Sequence, residues 1–409
     1  MSSQPYQSAL VRTWNYFARV LPLESMSPRL ELSRLLLAAE KAAQLGDFGS
    51  DDFRQPLQQL LLSLEEGDKL HPFGRFYIKQ MLTGLLVNRL KLVEYWKREP
   101  QVLDGKVVAP LVILGLPRTG TSFLFELLAQ DPAHRYLTNW EATVAQAPQP
   151  GRYTWAGDPR RKLGRRLMRF QSYLAPQMQE IHNFHLDGPE ECTPLLMQGF
   201  NTLAIASMFN VPAYSQWLNN APHQETYCHF KKTLQTLQSK YPGERWLLKS
   251  PSHIEAVDSL LEVFPDACLV QTHRDPVKAV TSFASLCAAF RGICCSNIDM
   301  DELGEQVLNR LSHDFSTYLQ VRKTCVQEQF YDLMYSDLVA DPKGSVESLY
   351  QHFGMELTDE ACQQMAAYLG REREGGGHFY SPEDFGLSAG RIRDRFQDYI
   401  EAFGIPVDK

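Results

Sequence analysis

No apolar run in this 409-residue chain approaches the roughly 20 residues that a bilayer-spanning helix needs. The first residues, Met1-Ser-Ser-Gln-Pro-Tyr6, lack the basic-then-apolar order of a secretory signal, so a soluble, cytoplasmic protein is expected. The eight cysteines show no metal-ligand spacing. Without a secretory signal they are expected as reduced thiols, with neither a disulfide framework nor a bound metal. Positive charge is in deficit: 41 lysines and arginines face 48 aspartates and glutamates, giving a formal net charge of −7 and a pI near 5.9. A chain of that balance has no global attraction for nucleic acid or an anionic membrane, so any anion it binds is held locally. Internal repeats and low-complexity tracts are also missing, which excludes solenoids and long disordered arms.

What is present suits a large core. With 44% hydrophobic residues the chain can form one sizeable domain plus an extension. Residues 1–105 read as helical: Leu30 to Lys41, Phe53 to Leu64 and Phe73 to Trp96 carry apolar residues at helical spacing, with charged residues on the other faces. We read this stretch as a helical extension capping residues 106–409. In that second part short apolar runs alternate with helical patterns. Val107–Leu114, Trp246–Lys249, Ala267–Thr272 and Phe330–Met334 predict the buried strands of a parallel α/β sheet flanked by helices. Ligands of such sheets lie beyond the carboxyl ends of the strands. Arg118, Lys249 and Arg274 each stand at or just after one of those ends, so three cations are expected at one crevice.

The most informative stretch is Leu114-Gly-Leu-Pro-Arg-Thr-Gly-Thr-Ser-Phe123, between the first strand and a helix. Strand, Gly-containing loop and helix start, in that order, make an anion cradle from backbone N–H groups and the positive end of the helix dipole. Gly115 and Gly120 keep the G-x-x-x-x-G spacing of a nucleotide-binding P-loop and Ser122 its hydroxyl, but Thr121 stands where the lysine belongs. A second stretch, Thr272-His-Arg-Asp-Pro, ends a strand in Arg274, and Ser282 follows eight residues later inside a helix. A guanidinium fork and a hydroxyl can grip a second phosphate from two directions.

Pro117-Arg-Thr-Gly-Thr-Ser122 resembles the loop with which sulfotransferases hold the 5′-phosphosulfate of 3′-phosphoadenosine 5′-phosphosulfate (PAPS). Arg274 and Ser282 resemble the pair those enzymes set on the 3′-phosphate. Trp246-Leu-Leu-Lys-Ser-Pro-Ser-His253, Phe264-Pro-Asp-Ala267 and Tyr335-Ser-Asp-Leu-Val-Ala-Asp-Pro342 are similar as well. The resemblance covers about residues 107–400 and is strongest to bacterial enzymes with an LPRTGT-type loop. It implies a P-loop-like enzyme that moves a sulfuryl group from PAPS to a hydroxyl of a small-molecule, carbohydrate or lipid-like acceptor, releasing adenosine 3′,5′-bisphosphate without a metal. Pro117, Arg118, Thr119, Gly120, Thr121 and Ser122 would hold the 5′-phosphosulfate, with Arg274 and Ser282 on the 3′-phosphate. Arg118 and Lys249 would act as catalytic cations.

For the base, the resemblance points to Glu141, 23 residues after Arg118. The alternatives are His185 and His253. The histidine-using branch of the family carries its histidine two residues after a lysine, and Pro251 occupies that position here. Glu190 and Glu191 are either substrate contacts or a solvated pair. The irregular region 147–224, where acceptor specificity is expected, contains Arg160-Arg161-Lys162, Arg165-Arg166 and Arg169 interleaved with Leu163, Leu167 and Phe170. That spacing predicts an amphipathic helix, read as a solvated basic face or as a guide for an anionic ligand. Arg391 and Arg393 are read as a charged helix surface or as reaching the donor phosphate. The competing classes are a P-loop kinase or NTPase, and a non-catalytic nucleotide-binding protein of the same fold. A homo-oligomer is compatible with all of them.

Overall fold

The computed structural model describes residues 7–21, 25–66, 70–146, 154–176, 185–371 and 381–407. Five parallel strands form one sheet in the order β2-β3-β1-β4-β5: β1 Leu111–Gly115, β2 His134–Tyr136, β3 Arg245–Lys249, β4 Cys268–His273 and β5 Phe330–Met334. β1 is central, and all five of its residues are buried. Alternation along it decides which layer each side chain joins. Leu111 and Ile113 share an apolar cluster with Leu124, Leu128, Leu349 and Tyr350 on one face. Val112 and Leu114 join Phe230, Leu234, Val280, Leu308 and Phe315 on the other.

The expected first strand starts four residues late. Pro110 has no N–H to give a neighbouring strand, and Ala109 has φ +40°, outside extended geometry. The other three expected strands are found within one residue at either end. The short edge strand β2 carries the sequence His-Arg-Tyr and has no apolar run that would announce it.

Among the described residues four α-helices precede the sheet: α1 Ala9–Val20, α2 Leu32–Ala43, α3 Arg54–Glu66 and α4 Pro72–Arg98. Three match the periodic segments named from the sequence, and α1 falls within the stretch 1–105 read as helical. α4 begins on His71, whose Nδ1 accepts from the Gly74 N–H at 2.8 Å, and has Pro72 at its first position. A third apolar cluster binds these helices to residues from 197–218 and 289–295 (Phe53, Leu57, Leu86, Phe200, Tyr214 and Ile293 among them), so the helical region shares its core with the rest of the chain.

After β1 come α5 Thr121–Leu128, α6 Asn139–Thr143 and α7 Pro159–Leu174. The long helices Gln224–Lys240, Pro276–Cys294 and Met300–Arg322 cover the sheet. Among the described residues Pro276–Cys294 alone is long and apolar enough to cross a membrane, and 78% of its most apolar window lies inside the protein. All eight cysteines are free. Burial pushes the Cys192 and Cys287 thiols up to about 12.

Candidate active site

The loop between β1 and α5 is built by close approach. Gly120 caps α5 with φ +90°, and a Cβ there would lie 2.9 Å from Tyr335 Cδ2, so only glycine fits. Gly115 has φ +151°, and a Cβ would meet Thr272 Oγ1 at 2.7 Å. Between them Thr119 Oγ1 donates to the Leu116 carbonyl at 2.6 Å and lies 2.6 Å from Thr272 Oγ1, tying the loop to β4. Arg118 is held at φ +66°, a left-handed geometry that costs about 1–2 kcal/mol for a non-glycine residue. Its side chain is exposed and has no polar partner among the described residues.

Two further cations reach this loop. Lys249, the last residue of β3, donates to Ser122 Oγ at 3.3 Å and to Glu191 Oε1 at 2.5 Å. Its side chain is only 4% exposed. Arg274, directly after β4, donates to the Arg118 carbonyl at 3.1 Å, and its guanidinium lies 4.0 Å above the centre of the Tyr335 ring. Tyr335 begins the short helix after β5, so β1, β3, β4 and β5 each deliver a residue to one loop. Ser282, half-buried, lies two turns into Pro276–Cys294. Asp275 caps that helix and accepts from Arg393 at 2.6 Å, while Arg391 pairs with Glu305. Arg391 and Arg393 are therefore both engaged with carboxylates.

The candidate bases are placed very differently. Glu141 is fully buried in α6: Oε1 accepts from Arg135 at 2.6 Å, and Oε2 closes a capping box with the Thr138 N–H and hydroxyl. Arg135 is itself sandwiched between the Trp155 and Trp246 rings. His185 is exposed on a turn whose carbonyl accepts from the Gly188 N–H. His253 is fully buried, with Nδ1 2.8 Å from the Tyr227 hydroxyl and Nε2 without a partner among the described residues. Burial drives its pKa down to about 3.

Glu191 is the carboxylate on the catalytic-cation candidate. The sequence shows only an acidic pair, because nothing in the spacing links Glu191 to a lysine 58 residues away. The contact arises because residues 185–193 lie along the segment after β2: the Glu190 N–H donates to the Leu137 carbonyl, and Glu190 Oε2 accepts from Asn139 at 2.6 Å. The Cys192 N–H then donates to the Lys249 carbonyl at 2.9 Å. Glu191 Oε2 accepts from the Thr193 hydroxyl at 3.0 Å, and its side chain keeps 23% of its surface exposed. Among the described residues no group of three or more histidines, cysteines or carboxylates could hold a metal ion.

Residues 110–359, more than half of the chain, match the model of the sulfotransferase family, and the chain belongs to that family. It is 30% identical over 277 residues to omega-hydroxy-beta-dihydromenaquinone-9 sulfotransferase Stf3 of Mycobacterium bovis. That match takes in 65% of this chain and spans 66% of the relative's length. Two crystal structures resemble the whole fold. Sulfotransferase STF1 from Mycobacterium tuberculosis is 32% identical with a TM-score of 0.78, covering 90% of this chain and 99% of its own. Sulfotransferase STF9 from Mycobacterium avium is 29% identical with a TM-score of 0.83, covering 93% and 98%.

The buried histidines set an acid limit. Burial lowers His253 to about 3 and, with the Arg310 charge, His223 to about 4; burial likewise lowers His71 to about 4. The unfolded chain takes up these protons near 6.5, whereas the folded protein does so only near its lowered values. Stability therefore falls as pH drops from about 6.5, by up to about 1.4 kcal/mol per pH unit for each histidine. Urea unfolding of His253→Gln between pH 7 and 4 should show a slope shallower by close to one proton. Identical slopes for the two proteins would contradict the burial account.

Proposed function

We propose that this sulfotransferase moves the sulfuryl group of PAPS to a hydroxyl of a lipid-like small molecule and releases adenosine 3′,5′-bisphosphate. The observation that carries this reading is two side-chain cations on one glycine-shaped loop, Lys249 at Ser122 and Arg274 at the Arg118 carbonyl. Thr121 replaces the lysine with which a triphosphate-binding loop neutralises its ligand, so cationic charge comes from neighbouring strands instead. In this reading Pro117 shapes the loop, while Arg118 and the N–H groups of Thr119, Gly120, Thr121 and Ser122 hold the 5′-phosphosulfate. Arg274 and Ser282 hold the 3′-phosphate. The lipid-like acceptor is supported by the relative whose name specifies an omega-hydroxylated dihydromenaquinone.

The acceptor oxygen attacks sulfur in line as the bond from sulfur to the 5′-phosphate oxygen breaks. By analogy with phosphoryl transfer the transition state is loose, and positioning and charge supply most of the catalysis. Lys249 neutralises charge on the departing phosphate oxygen, and its ammonium leaves Glu191 to do so. The acceptor proton passes to a carboxylate, a role we assign to Glu191, which is partly exposed beside Lys249. A positioned base of this kind contributes about 10²–10⁴-fold. Glu141 can serve only once Arg135 has released it, and His185 is the exposed alternative.

Glu191→Gln should lower turnover by about 10²–10⁴-fold with adenosine 3′,5′-bisphosphate affinity kept or raised, since the anion no longer has a carboxylate to displace from Lys249. Glu141→Gln should instead destabilise the fold, by about 3–5 kcal/mol for a broken buried pair, leaving turnover per folded molecule near wild type. The reverse outcome returns the base to Glu141. Product carrying one added SO₃ from a hydroxylated isoprenoid quinol, read by mass spectrometry, tests the acceptor class; no product from any hydroxylated lipid contradicts it. Arg274→Ala should weaken adenosine 3′,5′-bisphosphate about 10-fold or more, as expected for lost charge-assisted bonds, and adenosine 5′-phosphate far less. Equal losses would remove Arg274 from the 3′-phosphate.

A further inference from the structure

Helix α7 is anchored on one side and open on the other. Its first turn is held by Asp158, which caps the helix and pairs with Arg160 at 2.8 Å; both side chains are buried. The Arg160 guanidinium also donates to the Gln146 carbonyl and lies over the Trp140 ring. Gly164 rests against Trp140, the neighbour of Glu141 in α6. Arg161 pairs with Asp187.

The outward face is different. Leu163, Leu167 and Phe170 are 42%, 41% and 44% exposed, and spacings of four and three residues set them in one stripe. At 100° per residue Lys162, Arg165, Arg166 and Arg169 fall beside that stripe on the same open arc, with Tyr173, also exposed, within the basic row. All four basic side chains are exposed, and none has an ion-pair or hydrogen-bond partner among the described residues.

A solvated basic face accounts for the charges but not for three large apolar side chains beside them, since a helix serving solubility alone buries or omits such residues. An apolar row flanked by unpaired lysine and arginine is the arrangement of a helix lying in a bilayer interface, its apolar side chains at the acyl boundary and its cations on anionic headgroups. The local concentration matters because the chain as a whole is acidic, with a net charge of −7. A second copy docked on this face through a two-fold axis would set the four cations against their own copies, a repulsion that an anionic lipid surface avoids. We propose that the outer face of α7 docks this protein on an anionic phospholipid bilayer through Leu163, Leu167 and Phe170 with Lys162, Arg165, Arg166 and Arg169. This inference stands apart from the sulfotransfer reading, since vesicle binding needs neither donor nor turnover. It would bring the α6 side of the active site toward the membrane.

The test is co-sedimentation of the full-length protein with vesicles of equimolar phosphatidylglycerol and phosphatidylcholine, or of phosphatidylcholine alone. The wild-type protein should bind the anionic vesicles, release from them with added salt, and leave the neutral ones in suspension. Arg165→Ser with Arg166→Ser should weaken binding roughly 25-fold, about five-fold for each charge near a lipid surface. Leu167→Ser with Phe170→Ser should weaken it about ten-fold or more. Circular dichroism and melting should be unchanged in both, since all four positions are exposed. No binding by the wild type, equal binding to neutral vesicles, or binding indifferent to both double substitutions would overturn the proposal. So would loss of binding only on changing exposed Phe17 and Val20 of α1, or a wild-type dimer that Leu167→Ser with Phe170→Ser converts to monomer.

Discussion

An ammonium group with almost no access to water sits at the end of a central strand, and the rest of the site is arranged around it. Lys249 ends β3 with its side chain nearly buried, so its charge must be met by partners. Glu191 meets it directly, Ser122 offers a hydroxyl, and the Phe125 ring lies 5.7 Å away. One of the partners of this buried cation is a carboxylate that keeps 23% of its surface exposed. In the proposed reaction an arriving anion of matching geometry takes the place of Glu191, and the carboxylate freed in this way is the proposed base.

The parallel sheet makes that arrangement possible. Every strand points its carboxyl end the same way, so residues far apart in sequence end at one rim. β1 contributes the loop, β3 the lysine, β4 Arg274, and β5 the ring of Tyr335, which supports Arg274 and closes on Gly120. The close contacts at Gly115 and Gly120 leave no room for a Cβ, so loop, strand and ring form one rigid unit. As the anion cradle proposed here, such a loop needs little reorganisation when it is filled.

Much of this was legible in the sequence because it is carried by local patterns. The strand–loop–helix order at 107–129, the strand-end positions of Arg118, Lys249 and Arg274, and the helical periodicity of residues 30–96 and 160–170 all depend on neighbours within a few residues. What escaped depends on contacts across the chain. β2 is three residues long with no apolar signal, and Glu191 meets Lys249 only because residues 185–193 run beside the chain after β2. Glu141 shows the opposite case. Its distance from the loop suggested a base, but spacing says nothing of Arg135, whose guanidinium is fixed between two tryptophans and occupies the carboxylate.

The account's central claim is that the loop and its borrowed cations select a 3′-phosphorylated adenosine nucleotide over a nucleoside triphosphate. Calorimetric titration of the wild-type protein with adenosine 3′,5′-bisphosphate, set against ATP with Mg²⁺, measures that preference directly. The account predicts clearly tighter binding of the bisphosphate, without any requirement for Mg²⁺. Tighter, Mg²⁺-dependent binding of ATP would contradict it.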